Sequence, residues 1–285
     1  MKYTLPILFL SMIIFQSCKV FNPEEIVPSY LYINDIEVIA GVNEGTSNDA
    51  LIDAWVYVDG NLIGTYELPS KIPIHAEGDY NLQIFAGIKK SGLTNVRIQH
   101  DFFNSFDTAM VSIANKLDTI TPKVTYETGT TIWIEDFEDP GIKFSALSYS
   151  DTTIEITNLS SQVFEGNGSG KIEFAPSHLF FESRTNETSF NSFPRGGRPV
   201  YMELDYNTDE VLTIGIYHNN ISSGLAKEEY INLFPTNGKW KKTYLVLTDI
   251  VSIQTSATKF EIYLEVEKDR SSQPKVLIDN LKVMF

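Results

Sequence analysis

The sequence predicts an all-β protein, with a small N-terminal β-sandwich-like domain followed by a C-terminal β-sandwich jelly roll. Three observations carry this. Helical periodicity is almost absent; short runs alternating apolar and polar residues recur along the chain; and Gly, Asn, Asp and Pro break those runs at short intervals. A chain of 285 residues, 42% hydrophobic and 12% aromatic, exceeds one typical domain and can bury proper cores.

The first segment is not part of either domain. Lys2 supplies a positive charge, Leu5 to Phe15 form an uncharged apolar run, and Phe15-Gln16-Ser17-Cys18 ends it with a small residue before the single cysteine of the chain. At roughly a dozen residues, the run is shorter than the ~20 that span a bilayer as a helix, so it reads as a signal peptide. The ending resembles the loose lipobox of bacterial outer-membrane lipoproteins, particularly those of the Bacteroidota. That resemblance implies cleavage before Cys18 and acylation of its sulfur and new amino group. A thiolate is the nucleophile suited to a thioether-linked lipid, and several acyl chains anchor stably where one holds only marginally. The alternative is an ordinary signal peptide with an incidental cysteine. A lone cysteine excludes an internal disulfide. Lys19 to Glu25 then form a short tether whose Glu24 and Glu25 resemble the acidic surface-export signals of such lipoproteins, so the expected location is the bacterial outer membrane, facing the cell surface. Residues 1–17 are thus read as signal peptide, 18–29 as lipidated tether, 30–125 as the first domain and 126–285 as the second.

Removal of residues 1–17 takes away one lysine and leaves a net charge of −16, against −15 for the whole chain. That balance argues against nucleic acid and against docking on anionic lipid headgroups, because both would repel it.

Tyr30 to Ile33 opens the first domain. Ala54-Trp55-Val56-Tyr57-Val58 and Leu62-Ile63-Gly64 flank Asp59-Gly60-Asn61, a hairpin signal because Gly and Asn accept the positive φ of tight turns. Leu68-Pro69 leads to Lys71-Ile72-Pro73-Ile74, and Glu77-Gly78-Asp79 turns into the alternating run Tyr80 to Phe85. This order, over about residues 52–90, resembles a PEGA-type domain, with Asp59, Gly60, Gly64 and Pro69 on the family pattern and Tyr66-Glu67-Leu68 departing from it. The resemblance implies a structural or surface-associated module without an active site. Gly92 to Met110, with His100, Phe102, Phe103 and Phe106, completes the domain.

In the second domain, strands are expected at Thr131 to Glu135, Ile154 to Thr157, Gly170 to Phe174, Val200 to Tyr206, Leu212 to Tyr217, Trp240 to Leu247, Lys259 to Val266 and Lys275 to Val283, a count that suits a two-sheet jelly roll. Trp240 is expected in the core. Glu135-Asp136-Phe137-Glu138, Gly166-Asn167-Gly168-Ser169-Gly170, Gly238-Lys239-Trp240 and the closing Val276-Leu277-Ile278-Asp279-Asn280 together resemble the galactose-binding-like jelly rolls that include many carbohydrate-binding modules. The resemblance implies a fold and not a function.

Chemistry-bearing residues are few. Asp136, Glu138 and Asp279 would meet if the first and last strands of the sandwich are neighbours, and such oxygen ligands suit a structural calcium; the alternative leaves Asp136 and Glu138 facing solvent and Asp279-Asn280 in a turn. Tyr201, Tyr206, Tyr217, Tyr230 and Tyr263 could each stack on a sugar or pack in a core. Arg195 and Arg198, in a Gly-rich loop of an acidic protein, could pair with a carboxylate, and together with Tyr217 they form the candidate ligand set. His75, His100, His178 and His218 show no metal-ligand spacing, and no serine sits in a nucleophile elbow, so no enzyme, catalytic residue or required cofactor is expected. The expected role is an interaction or scaffold subunit with an outer-membrane protein partner; the alternative is capture of glycan by the jelly roll.

Overall fold

The computed structural model describes residues 27–92, 96–186, 190, 193–220, 224–269 and 273–285. Cys18 and the rest of the leader and tether up to residue 26 lie outside them. The chain is nearly all β, in sandwich-like layers.

Ten strands build the N-terminal part: β1 (Ser29–Ile33), β2 (Glu37–Val38), β3 (Asp53–Val58), β4 (Asn61–Glu67), β5 (Ser70–Ile74), β6 (Gly78–Lys89), β7 (Arg97–Gln99), β8 (Phe106–Ser112), β9 (Leu117–Ile120) and β10 (Lys123–Val124). One sheet runs β4-β3-β6-β7 with β8 also on β6, a second runs β5-β1-β9, and β10 pairs β2. The hairpin at Asp59-Gly60 forms as expected, with both residues at positive φ. Alternation along β3 and β6 sends Ala54, Val56, Leu82, Ile84 and Ala86 into a core shared with Leu31, Ile33, Ile72 and Ile74.

The C-terminal part comprises β11 (Ile132–Glu135), β12 (Phe144–Ala146), β13 (Ile154–Thr157), β14 (Ser169–Glu173), β15 (Phe180–Thr185), β16 (Tyr201–Thr208), β17 (Leu212–Asn220), β18 (Gly224–Leu233), β19 (Lys241–Val246), the short helix α1 (Thr248–Ser252), β20 (Ala257–Glu267) and β21 (Lys275–Met284). Two sheets face each other as a jelly roll, β13-β14-β21-β16-β19 with β11 on β21, and β12-β15-β20-β17-β18. Their inner faces meet through Ile172, Met202, Leu204, Ile214, Ile216, Phe260, Ile262 and Ile278.

The first of these sheets is covered on both faces. All of β16 is buried, because its second face packs on the N-terminal part through Tyr201, Tyr244, Val246 and Met284. That face also carries charge. Lys282 and Glu203, each 1% exposed, pair at 2.9 Å, and Lys282 Nζ donates to the Tyr126 hydroxyl at 2.5 Å. Lys242 lies 3.7 Å from Glu203 and 3.6 Å from Asp205. Burial alone would raise Glu203, but Lys242 and Lys282 carry it below the ordinary carboxylate range. His100 stacks on Phe103 at 4.0 Å and meets Tyr201 and Tyr244 edge-on; burial pushes it down to about 3, so it is neutral. The junction is therefore a packed interface, closer to a second core than to a linker.

Three sequence expectations change. Asp279 and Asn280 lie inside β21, within the expected Lys275 to Val283 strand and not in the turn of the alternative reading: Asn280 has φ 48°, and the register with β16 shifts between Glu203 and Asp205. This bulge resets the alternation, so that Ile278 and Leu281, three apart, both face the core. Trp240 is half-buried against Phe164 at 5.2 Å and belongs to neither core. Strands β12, β15 and β18 occupy stretches where none was expected.

Candidate functional site

The expected neighbours β11 and β21 do pair, antiparallel, with Glu135 opposite Leu281, and Asp136, Glu138 and Asp279 line one cleft of about 650 Å³ with Glu165, Asn280 and the 41–46 loop. Their oxygens have other tasks. Glu138 Oε1 accepts the backbone N–H groups of Asn167 (2.7 Å) and Gly168 (3.0 Å), and Oε2 accepts the Asn167 amide, which clamps the Gly166-Asn167-Gly168 turn. Asp279 accepts the Ser169 hydroxyl at 2.6 Å and the N–H groups of Asn280 and Glu165; burial pushes it up to about 7 despite those bonds. Asp136 accepts the N–H of Glu138 at 3.4 Å. Among the described residues no three His, Cys, Asp or Glu side chains form a group that could hold a metal ion.

The arginine loop is likewise committed. Arg195 donates to the carbonyls of Gln254 (3.2 Å) and Ala257 (2.5 Å) and lies 4.7 Å over the Phe260 ring, at the inner side of its sheet. Arg198 is exposed on the same loop. Tyr217 is on the other face of that sheet, so the structure does not bring Arg195 and Tyr217 together. Of the other tyrosines, Tyr201 donates to Asp101 at 2.6 Å in the domain junction, Tyr206 is in the jelly-roll core, and Tyr230 donates to the Val246 carbonyl at 2.7 Å.

What the fold does assemble is the outer face of β12-β15-β20-β17-β18. Because strands alternate, the residues between the core positions Phe181, Ile214, Ile216, Ile262 and Leu264 all point the other way: Glu182 and Arg184 on β15, Glu261, Tyr263 and Glu265 on β20, Tyr217 on β17 and Lys227 on β18. Register sets them side by side, with Arg184 opposite Tyr263, Glu261 opposite Tyr217, and Tyr217 opposite Lys227. Tyr217 and Tyr263 meet edge to face at 5.4 Å. Gly215, opposite Tyr263, is the reason the second ring lies flat on the sheet: a Cβ there would stand 2.5 Å from the ring.

Glu182 is the hub. It accepts the Tyr217 hydroxyl at 2.6 Å, the Tyr149 hydroxyl at 3.2 Å and the Lys227 ammonium at 2.9 Å. Burial alone would raise its pKa, but these donors bring it below the usual range. Tyr217 shifts up for the complementary reasons, burial first and then the Glu182 carboxylate; Tyr263 is pushed up to about 12, mainly by burial. Lys227 also bonds Glu265 and places its ammonium 4.4 Å over the Tyr263 ring. Arg184 pairs with Glu261 at 2.8 Å, an ion pair without hydrogen-bond alignment since that oxygen has no bonded partner, and its guanidinium lies 5.5 Å over Tyr217. The face carries two aromatic rings, 8% (Tyr217) and 1% (Tyr263) exposed, with three carboxylates, a guanidinium and one lysine across the rings.

Sequence reasoning found Tyr217 and Tyr263 and missed Glu182, Arg184 and Lys227. Phe180-Phe181-Glu182-Ser183-Arg184-Thr185 does alternate, but its core-facing residues after Phe181 are Ser and Thr, which mute the signal.

No protein-family model and no curated protein matches the sequence. Among solved structures, the chain is similar to the CBM22-1 xylan-binding domain of Paenibacillus barcinonensis Xyn10C, at 13% identity over 53% of this chain and 91% of that one, with a TM-score of 0.41. It is also similar to a CBM29-2 mutant complexed with mannohexaose (12%, 54% and 92%, TM-score 0.34). A third likeness is the family 11 carbohydrate-binding module of the Clostridium thermocellum cellulase Lic26A-Cel5E (8%, 54% and 94%, TM-score 0.36). Similarities of this degree assign no function.

Proposed function

We propose that the protein is a non-catalytic glycan-binding lipoprotein, anchored to a bacterial outer membrane through Cys18, that holds saccharide on the outer face of β12-β15-β20-β17-β18. The observation that carries the reading is the Tyr217–Tyr263 pair set among Glu182, Arg184, Glu261 and Glu265: rings meet the apolar face of a sugar, and fixed carboxylates and a guanidinium meet its hydroxyls. Lys227 is a cover. Its ammonium lies over Tyr263 and bonds Glu182 and Glu265, and an arriving sugar displaces it while the Tyr149 and Tyr217 hydroxyls still hold Glu182.

The test is a glycan array probed with the chain from residue 18 onward, beside Tyr217→Ala. Binding of one glycan class that Tyr217→Ala loses supports the reading; an array on which the wild-type chain is blank sinks it. Anchoring is tested separately: Cys18→Ala should move the protein from the membrane to the soluble fraction.

An interaction subunit is the second reading, and it draws on Val111, Ile113 and Leu117, each 51% exposed at one end of the N-terminal part. A stoichiometric membrane-protein partner in a mild-detergent purification would favour it.

A further inference from the structure

A second aromatic face lies on the N-terminal part, on the side of β4-β3-β6-β7 turned away from its core. Alternation along β3 puts Asp53, Trp55 and Tyr57 there, opposite the core residues Ala54 and Val56. Register adds Phe85 beside Trp55, Gln83 beside Tyr57, and Gly87 beside both Asp53 and Gln99. Trp55, Tyr57 and Phe85 are all only partly buried. Tyr57 and Phe85 meet edge to face at 5.5 Å, and two residues along a strand set Trp55 and Tyr57 about 7 Å apart. Gly87 shapes the surface as Gly215 does on the jelly roll: a Cβ at Gly87 would come within 2.9 Å of the Trp55 pyrrole edge, so the indole lies down across the sheet. Its N–H has no acceptor among the described residues, and packing alone holds the ring.

Polar groups of a particular kind border these rings. Gln99 donates to the Tyr57 hydroxyl at 2.8 Å, and Gln83 donates to Ser105 at 3.2 Å. Two bordering cations are neutralised locally: Arg97 binds both oxygens of Asp53 at 2.7 and 2.8 Å and reaches Glu67 at 3.4 Å, and Lys90 pairs with Asp249 of α1 at 2.8 Å. From Trp55 the face runs into a cleft of about 520 Å³ between the two domains, where Arg97, Gln99 and Asp101 face Tyr201 and Thr248.

We infer that Trp55, Phe85 and Tyr57, with Gln99 and the adjoining cleft, form a second and separate binding face for a neutral polysaccharide chain. Three rings on one face suit the apolar faces of sugar residues, and side-chain amides suit their hydroxyls. With Arg97 and Lys90 already paired to carboxylates, and an overall charge of −15, a polyanion is repelled at a distance. The inference does not rest on the jelly-roll reading, since the two faces share no residue.

The experiment uses the chain from residue 18 onward carrying Tyr217→Ala, which weakens the jelly-roll face, in affinity electrophoresis through soluble xylan, glucomannan and mixed-linkage β-glucan. Retardation by at least one of them is expected. Adding Trp55→Ala should weaken it about tenfold or more, the effect of losing a central aromatic anchor, while Trp55→Phe, which keeps a ring, should retain part of it. On saturation, tryptophan emission should shift in the parent chain and in Trp240→Phe but not in Trp55→Phe. Equal retardation with and without Trp55, or none in any of the three polysaccharides, overturns the inference; in the latter case a wild-type chain that is still retarded leaves the jelly-roll site standing.

Discussion

The jelly roll and the N-terminal part each lay an aromatic ring over a glycine on the solvent side of a sheet, and they differ in what surrounds the ring. Tyr263 over Gly215 is 1% exposed, covered by Lys227 and ringed by Glu182, Glu261 and Glu265. Trp55 over Gly87 is partly exposed beside Gln99, and Arg97 next to it pairs with Asp53. The first face is polar, preorganised and covered; the second is amide-lined and partly exposed. Aromatic content alone does not define a recognition surface: the charges around the ring decide what must leave before a ligand can enter.

The comparison presumes that both faces belong to one rigid body, and the largest expected effect tests that. Lys282→Ala leaves Glu203 buried beside only the more distant Lys242, and should cost roughly 3–5 kcal/mol, read as a lower midpoint in urea unfolding. A change within a few tenths would mean that the junction is hydrated and the two parts move independently.

The junction also sets a pH dependence. His100 is pushed down to about 3 by burial from an ordinary 6.5, so the unfolded chain takes up that proton first, and stability falls as pH drops from 6.5 toward 3. Asp279, pushed up to about 7 by burial from 3.8, acts in the opposite sense: the native chain holds a proton that the unfolded chain releases, and this contribution is lost as pH rises from 3.8 through 7. Between about pH 4 and 6.5 the two oppose each other. Asp279→Asn removes one of them, so stability should then rise with pH across that window by up to roughly 1.4 kcal/mol per pH unit, measured as urea midpoints at several pH values.

Smaller effects separate the faces themselves. Lys227→Ala uncovers Tyr217 and Tyr263 and should tighten saccharide binding on the jelly roll several-fold, while leaving binding at Trp55 unchanged in titration calorimetry. The smallest expected effect is none: adding calcium, or removing it with a chelator, should leave the melting temperature within about one degree, because an ion stabilises only where it binds the native state and Asp136, Glu138 and Asp279 are held by backbone and hydroxyl donors.

Much of the fold was legible in the sequence. Strands β13, β17, β19, β20 and β21 alternate or run apolar, and the Asp59-Gly60 hairpin announces itself by turn chemistry. The failures have physical causes. Strand β18 is an edge strand rich in Lys and Glu, the composition edges carry against unwanted pairing, and it reads as a loop. Asp279-Asn280 has turn chemistry but serves a bulge inside β21. Glu203, Lys242 and Lys282 carry no sequence signal of burial, and only the packing of the N-terminal part on that face buries them. The candidate site suffered most, because Glu182, Arg184 and Lys227 sit on the two strands whose patterns are weakest. Trp55 was visible as a strand residue, yet the openness of its face depends on what the jelly roll leaves uncovered.

The most direct test of two separate sugar faces is titration calorimetry of the chain from residue 18 onward with a neutral oligosaccharide to which it binds. Two sites in the wild-type chain, one in Tyr217→Ala, one in Trp55→Ala and none in the double variant is the expected result. Full binding that survives in the double variant would contradict the account.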